Sequence, residues 1–272
     1  FSEGNTAQRW VGFGTATFQP AEMAKITLII YLASWFSKKK ESDSDRLTWP
    51  FFMVMIAIAL LMLIQKDLGT LAVMLGISAA MFFMSGVSYT SLFLGGGLGA
   101  LLLYLAIKIE PYRLERLTSF LNPNADVMGS GYQIRNALIA IGSGGLFGLG
   151  FGQSRQKYLY LPEAHTDAIF AIVAEELGFL RSSLIILAFG YIALKGYKIA
   201  RNAPDKFSSL MAVGITTWFF WQAFINIGAM LSILPLTGVP LPFISYGGSS
   251  LLFLLAATGI LINISKHANY EK

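Results

Sequence analysis

Blocks of about 20 mostly apolar residues recur along this chain, the length a helix needs to cross a hydrocarbon core of about 30 Å. Backbone polar groups in lipid must be satisfied within their own segment, so such blocks are read as helices. Composition agrees: 55% of the residues are hydrophobic and 13% are charged, against ~25% charged in a typical soluble domain. The expected fold is all-α and integral to the membrane, a polytopic helical bundle. Seven spans are read, at 20–36, 49–64, 71–85, 89–109, 168–194, 207–231 and 249–264. The segment 168–194 is long for one crossing, so its first turns are expected to project beyond the lipid.

Basic residues set the orientation. The connection 37–48 carries Lys38, Lys39, Lys40 and Arg46, and 195–206 carries Lys195, Lys198, Arg201 and Lys206. The tail adds Lys266 and Lys272 on the same side, and short basic loops stay cytoplasmic. Segments 1–19, 65–70, 110–167 and 232–248 then face outward, and chemistry is expected there. The 110–167 connection is the one long loop. Within it 133–152, QIRNALIAIGSGGLFGLGFG, is too polar at its start and too rich in glycine to span. A re-entrant or interfacial helix is expected there. The chain opens at Phe1, in the polar run FSEGNTAQRW, and is expected to continue a longer protein; no signal peptide is visible in it.

Several acidic residues have two readings each. Asp167, in LPEAHTDAIF, stands where the long loop enters the fifth span. Its carboxylate either caps backbone N–H groups or, desolvated, serves as a base. Pro162 suits the first turn of a short helix, on which Glu163 would lie one turn before Asp167. Asp67, in IQKDLGT, is either a cap beside Lys66 or a site residue. Glu22 and Lys25, in QPAEMAK, share a helix face at the outer end of the first span. Charges so placed usually face the bundle interior, although Lys25 has a stem long enough to snorkel. Glu175 and Glu176 follow Asp167 by two turns, and at least one is expected to be buried with a partner.

Other chemistries find no support. From Gly142 and Gly144 the third position of a dinucleotide fingerprint falls on Phe147, with no preceding strand and no Walker lysine. His165 and His267 are isolated from any zinc-ligand spacing, and cysteine is absent, so no thiolate metal site exists and redox compartment is unreadable. The formal charge of +5 partly follows from the basic cytoplasmic loops, and no nucleic-acid module accompanies it. In LSILPLTGVPLPFISYGGSS, Pro235, Pro240 and Pro242 forbid a regular helix, while Gly247 and Gly248 permit tight turns. An apolar, helix-broken segment between two spans must be covered by protein, so it is expected to dip into the bundle and line a cavity.

Taken together, RW followed by QPAEMAK, KDLGT, EPYRLERLTSFLNP, GSGYQ, IAIGSGGLFGLGFGQSRQKYLYLPEAHTD, EELG and LPLTGVPLPFISYGGSS resemble the SEDS family of membrane glycosyltransferases over nearly the whole chain. GQSRQKYLYLPEAHTD and LPFISYGGSS look closer to its division branch, FtsW, than to the elongation branch, RodA. The family has ten spans, which implies a single SEDS-type domain over 1–272 lacking about three N-terminal spans. Three positions depart from the family pattern. Proline is usual where Lys66 stands, a large apolar residue where Ala168 stands, and Arg181 is atypical.

The resemblance implies polymerisation of lipid II into peptidoglycan strands during septal wall synthesis, with release of undecaprenyl pyrophosphate. It places the work at the outer face of the bacterial cytoplasmic membrane, beside a class B penicillin-binding transpeptidase and other divisome membrane proteins. It puts an essential aspartate where Asp167 stands, as catalytic base on the acceptor hydroxyl. Arg9, Glu22, Lys25, Asp67, Arg155, Lys157, Glu163, His165 and Ser245 are assigned to substrate, with Arg9, Lys25, Arg155 and Lys157 as phosphate contacts. A divalent cation, magnesium or manganese, suits the departing pyrophosphate, and no organic cofactor is expected. The competing readings are a lipid II flippase, which needs a central cavity open to either side, and a non-catalytic scaffold for the transpeptidase, which needs no polar residue at position 167.

Overall fold

A computed structural model describes residues 10–13, 16–38, 48–86, 96–97, 99, 108, 111–122, 129–158 and 161–270. Two short strands, β1 (Val11–Phe13) and β2 (Ala16–Phe18), pair antiparallel with Val11 opposite Phe18. This hairpin is a small addition to the expected helical fold; three residues per strand are too few for alternation to be read. The remaining elements are helices: α1 (Pro20–Ser37), α2 (Thr48–Ile64), α3 (Leu68–Met84), α4 (Pro111–Leu121), α5 (Ser130–Ser143), α6 (Ile169–Arg201), α7 (Lys206–Met230) and α8 (Gly248–Lys266).

Helices α6, α7 and α8 are each long and apolar enough to cross a membrane, while α2 and α3 are apolar but 17 residues long. Helix α1 has 18 residues, with Glu22 and Lys25 diluting its apolar run. The fourth expected span, 89–109, lies almost wholly outside the described residues. Capping sets several boundaries. Asp67 accepts from Thr70 N at 3.0 Å and from Thr70 Oγ1 at 2.9 Å, which starts α3 at Leu68 rather than at the expected Leu71. Asp205, just before α7, accepts from Ser208 Oγ at 2.6 Å and Ser208 N at 3.0 Å. The Ser208 hydroxyl, then its backbone N–H, hold the Asp205 pKa below the ordinary carboxylate value.

The fifth span also departs from a single rod. Gly178, at φ 77° and ψ 176°, breaks α6 into pieces 169–177 and 179–201. At about 1.5 Å per residue the second piece is about 34 Å long, enough to cross the membrane without the first.

Contacts divide the chain into two units. The first comprises 1–99, 193–218 and 248–272. Within it α1 packs on α3 and α8, and α2 packs on α3. Phe51 and Phe82 stack at 4.5 Å between ring centroids, with Phe36 against both at 5.7 and 6.0 Å. A Cβ at Gly214 would come within 2.7 Å of Ile29 and 2.8 Å of Met81, so its small size lets α7 approach α1 and α3.

The second unit comprises 100–192 and 219–247. Its core joins Ile134, Ala137 and Ala140 of α5 to Phe170 and Ala171 of α6, Ile227 of α7, and Leu236 and Leu241 of the following loop. The helix expected over 133–152 ends at Ser143. Beyond it Gly145, Gly148, Gly150 and Gly152 all take positive φ, so the chain turns rather than coils. The break at Gly178 releases N–H groups of α6 from their helical partners. Phe179 N donates to Gly145 O at 2.8 Å and Leu180 N to Leu146 O at 3.2 Å. In return Leu149 N and Gly150 N donate to the carbonyls of Glu175 and Glu176, each at 3.0 Å. A Cβ at Gly148 would stand 2.1 Å from the Glu176 carbonyl oxygen, and one at Gly178 2.2 Å from Gly148 N. Glycine at both positions is what allows the loop to lie on the helix.

Candidate active site

The stretch before α6 is held by its carbonyls. Tyr246 N donates to His165 O at 2.9 Å, Ser245 Oγ to Thr166 O at 2.7 Å, and Asn226 Nδ2 to Asp167 O at 2.8 Å. Three consecutive backbone oxygens are thus fixed by α7 and by the loop that follows it. That loop, 231–247, is itself pinned: its prolines keep it out of a regular helix, so its carbonyls are open to donors from neighbouring side chains. Gln222 Nε2 donates to Pro240 O at 2.8 Å, Asn226 Nδ2 to Val239 O at 2.7 Å, and Arg116 Nη1 to Leu236 O at 2.9 Å. Leu236, Val239 and Leu241 are buried while Ile233 and Tyr246 are exposed, so the middle of the proline segment is the part covered by protein.

Between these pieces lies a pocket of about 110 Å³. Arg116, Gln133, Glu163, Asp167, Asn226 and Thr237 line it, together with Gly238 and neighbouring apolar residues. Gly238 has φ +70°, and a Cβ there would stand 3.2 Å from Asp167 Oδ2. The backbone therefore passes directly against the carboxylate. Glu163 also adopts a left-handed φ of 53°, sparsely populated for a residue with a side chain. Its carbonyl accepts from Thr166 N and Ala168 N, each at 3.1 Å, and its Oε2 accepts from Thr166 Oγ1 at 2.7 Å. Two carboxylates, a guanidinium and two side-chain amides thus converge on one small cavity. Such a set can bind a hydroxyl, take its proton and steady a developing negative charge.

The other sequence-assigned residues fall elsewhere. His165 is exposed and meets the loop through its carbonyl; Ser245 accepts from Leu241 N at 2.7 Å and so braces the Asp167 backbone. Arg155 and Lys157 belong to a latch on α6. Glu176 accepts from Gly152 N at 3.0 Å and Ser154 N at 3.3 Å. Glu175 accepts from Ser154 Oγ, from Arg155 N at 3.1 Å and from Gln156 N at 3.4 Å. Both acids are buried, where at least one was expected to be. Lys157 Nζ reaches Glu176 Oε1 at 2.8 Å and Gly152 O at 2.6 Å, and its bond to Glu176 raises its pKa above the ordinary lysine value. Its ammonium is therefore engaged in an ion pair, while the Arg155 side chain is exposed.

Glu22, Lys25 and Asp67 belong to the first unit. Lys25 does not snorkel: it is buried, 2.8 Å from Glu22 Oε1 and 4.8 Å from the centre of the Trp218 ring. Asp67 is the buried cap of α3, the simpler of its two readings. Lys66, where the family pattern has proline, takes φ 55°, which a proline ring cannot adopt. Ala168 is fully buried in the core, and Arg181 turns back to donate to Phe147 O at 3.4 Å. Arg9 lies outside the described residues.

Among the polar lining residues, Arg116, Gln133, Asn226 and Thr237 were not assigned to the site from sequence. Asn226 and Gln222 did carry a signal, as two amides one turn apart on an otherwise apolar helix. Arg116 is one of several arginines in the long loop, with nothing local to single it out.

Residues 2–270 match the family model described as cell cycle protein, FTSW_RODA_SPOVE. The chain is 42% identical to stage V sporulation protein E of Bacillus subtilis, over 98% of the chain and 73% of that relative. It is 40% identical to a probable peptidoglycan glycosyltransferase FtsW of Escherichia coli (strain CFT073), over 98% of the chain and 66% of that relative. The chain thus spans about two thirds to three quarters of these relatives' own length. Among solved structures, a chain of a peptidoglycan synthase complex that coordinates polymerization and crosslinking superposes with a TM-score of 0.77 at 27% identity. That likeness covers all of this chain and 76% of the solved one.

Proposed function

The chain belongs to the FtsW/RodA/SpoVE family, and from that premise we propose that it carries the glycosyl-transfer site of a lipid II polymerase, with Asp167 as its base. One observation carries the proposal: Asp167 lines the pocket on a backbone fixed by three consecutive carbonyl bonds, and Arg116 lines the same pocket. A sugar hydroxyl is a poor nucleophile until its proton is removed. Asp167 takes that proton as the hydroxyl oxygen bonds the anomeric carbon; the bond from that carbon to the lipid pyrophosphate breaks, and the pyrophosphate leaves with the electron pair. Arg116, which also donates to Leu236 O, brings to the pocket a positive charge that suits phosphate oxygens. Pockets that enclose a whole small ligand run to about 300–1,000 Å³, so this one, near 110 Å³, holds the reacting group and leaves the rest of a lipid-linked substrate outside.

A divalent cation stays a proposal. Asp167 and Glu163 put two carboxylates on the pocket, which suits a magnesium ion completed by water and substrate phosphate. Such an ion would neutralise pyrophosphate charge. No group of three or more His, Cys, Asp or Glu residues suited to a metal occurs among the described residues, so a closed protein cage is not proposed. The membrane is the bacterial cytoplasmic membrane with the pocket at its outer face, supported by the basic residues Lys195, Lys198 and Arg201 at the far end of α6. The partner is a class B transpeptidase, supported by the likeness to a complex that couples polymerization to crosslinking. Other divisome membrane proteins follow from the same reading.

The direct test supplies labelled lipid II to the purified protein in detergent and resolves products on a gel. A ladder of glycan polymer is expected; recovery of unreacted lipid II alone, with folded protein, would refute the activity. Gly238→Ala should slow the same reaction. An alanine at φ +70° costs roughly 1–2 kcal/mol, and its Cβ pushes on Asp167 Oδ2. A penalty of ~1.4 kcal/mol on the reacting geometry is a tenfold loss of turnover. Initial rates at saturating lipid II measure it, and an unchanged rate would mean the carboxylate position matters little.

A further inference from the structure

The glycine loop after α5 puts large apolar side chains outward while turning part of its backbone onto α6. Leu146 is 60%, Phe147 69%, Leu149 42% and Phe151 89% exposed. In water such a cluster would be a liability, since large contiguous apolar patches mark an interaction surface. Yet many backbone polar groups of this loop are bonded to protein. The carbonyls of Gly145 and Leu146 accept from Phe179 N and Leu180 N, and the Phe147 carbonyl accepts from Arg181. The N–H groups of Leu149 and Gly150 donate into α6, and that of Gly152 to the Glu176 carboxylate. Non-helical backbone is tolerated at membrane depth when its polar groups are satisfied by protein.

The position of the loop identifies what covers it. Its bonds reach α6 at 175–180, where the piece able to cross the bilayer begins. Phe179, Leu180, Leu184 and Leu187 on that piece are 50–66% exposed, so the apolar surface of the loop continues into the side of a membrane-spanning helix. Polar Gln153, Arg155 and Lys157 follow within the next residues, suited to a headgroup layer. A partly buried apolar face beside cationic side chains is the physical signature of an interfacial segment.

We propose that residues 146–151 form a non-helical wedge inserted at the headgroup–acyl boundary of the bilayer, with Phe147 and Phe151 as its anchors. The leaflet is the one opposite Lys195, Lys198 and Arg201. The Glu175–Glu176 latch holds the wedge against α6, so its depth follows that of the helix. This assignment is independent of the proposed activity.

Because the chain has no cysteine, single sites are introduced cleanly. Phe147→Cys and Phe151→Cys are spin-labelled in the full chain and placed in nanodiscs of phosphatidylethanolamine and phosphatidylglycerol. Collisions with lipid-soluble oxygen are compared with those of a water-soluble nickel chelate. Leu187→Cys gives the lipid reference and Asn122→Cys the aqueous one. Both wedge labels should show an oxygen-to-nickel ratio severalfold above that of Asn122→Cys and on the side of Leu187→Cys. A ratio at either wedge site matching Asn122→Cys would overturn the insertion.

Discussion

Lys25→Met should destabilise the protein strongly, although it keeps most of the side chain's apolar length. Glu22 and Lys25 are each about 1% exposed, and Lys25 Nζ donates to Glu22 Oε1 at 2.8 Å. Among the described residues Glu22 Oε2 has no hydrogen-bond partner, so Lys25 is what compensates the carboxylate charge. Removing one member of a buried pair leaves an uncompensated charge and costs roughly 3–5 kcal/mol. The attraction between Lys25 and the Trp218 ring, at 4.8 Å, is lost as well and adds to the penalty. The double variant Glu22→Gln/Lys25→Met removes both charges and should recover much of the stability. Thermal unfolding in detergent, followed by intrinsic fluorescence, compares the three proteins. A single variant as stable as the parent would show that the pair contributes nothing to the fold.

That prediction reverses the one the sequence alone invites, in which Lys25 is a surface anchor or a phosphate contact whose loss leaves the bundle intact. The difference is tertiary. Spacing puts Glu22 and Lys25 on one face, but no local pattern says that Trp218, far along the chain, closes over that face.

Elsewhere the legible features were those encoded within a few residues. Apolar blocks gave α1, α2, α3, α7 and α8 to within a few residues, while α6 runs on to Arg201, past the expected end at 194; the Asp67 cap was one of two stated readings of IQKDLGT. Prolines 235, 240 and 242 announced a segment that must be covered and line a cavity, which 236–239 do. Asp167 was placed by motif resemblance and lies on that cavity. What stayed hidden depended on pairings distant in sequence. The break at Gly178 looks like any helical glycine until the loop carbonyls of Gly145 and Leu146 are seen to take the freed N–H groups. The same holds for Lys157, whose partner Glu176 is 19 residues away, and for Arg116, whose acceptor lies 120 residues away.

The central claim is that Asp167 performs the proton transfer of glycosyl transfer, and Asp167→Asn isolates it. The amide keeps the size and shape of the side chain. The backbone bond from Asn226 goes to the Asp167 carbonyl, not to its side chain, and so survives the exchange. What changes is basicity: an amide cannot accept the hydroxyl proton, and losing one general base typically costs about 10²–10⁴ in rate. A structural cap would behave differently, because an asparagine caps a helix about as well as an aspartate. The deciding measurement is the initial rate of polymer formation from labelled lipid II by wild type and Asp167→Asn, at matched amounts of folded protein and saturating substrate. A rate lower by about 10²–10⁴, with unfolding temperature unchanged, is the result expected of a base. Polymer formed by Asp167→Asn at a near wild-type rate would contradict it and leave Asp167 as the cap of a membrane helix.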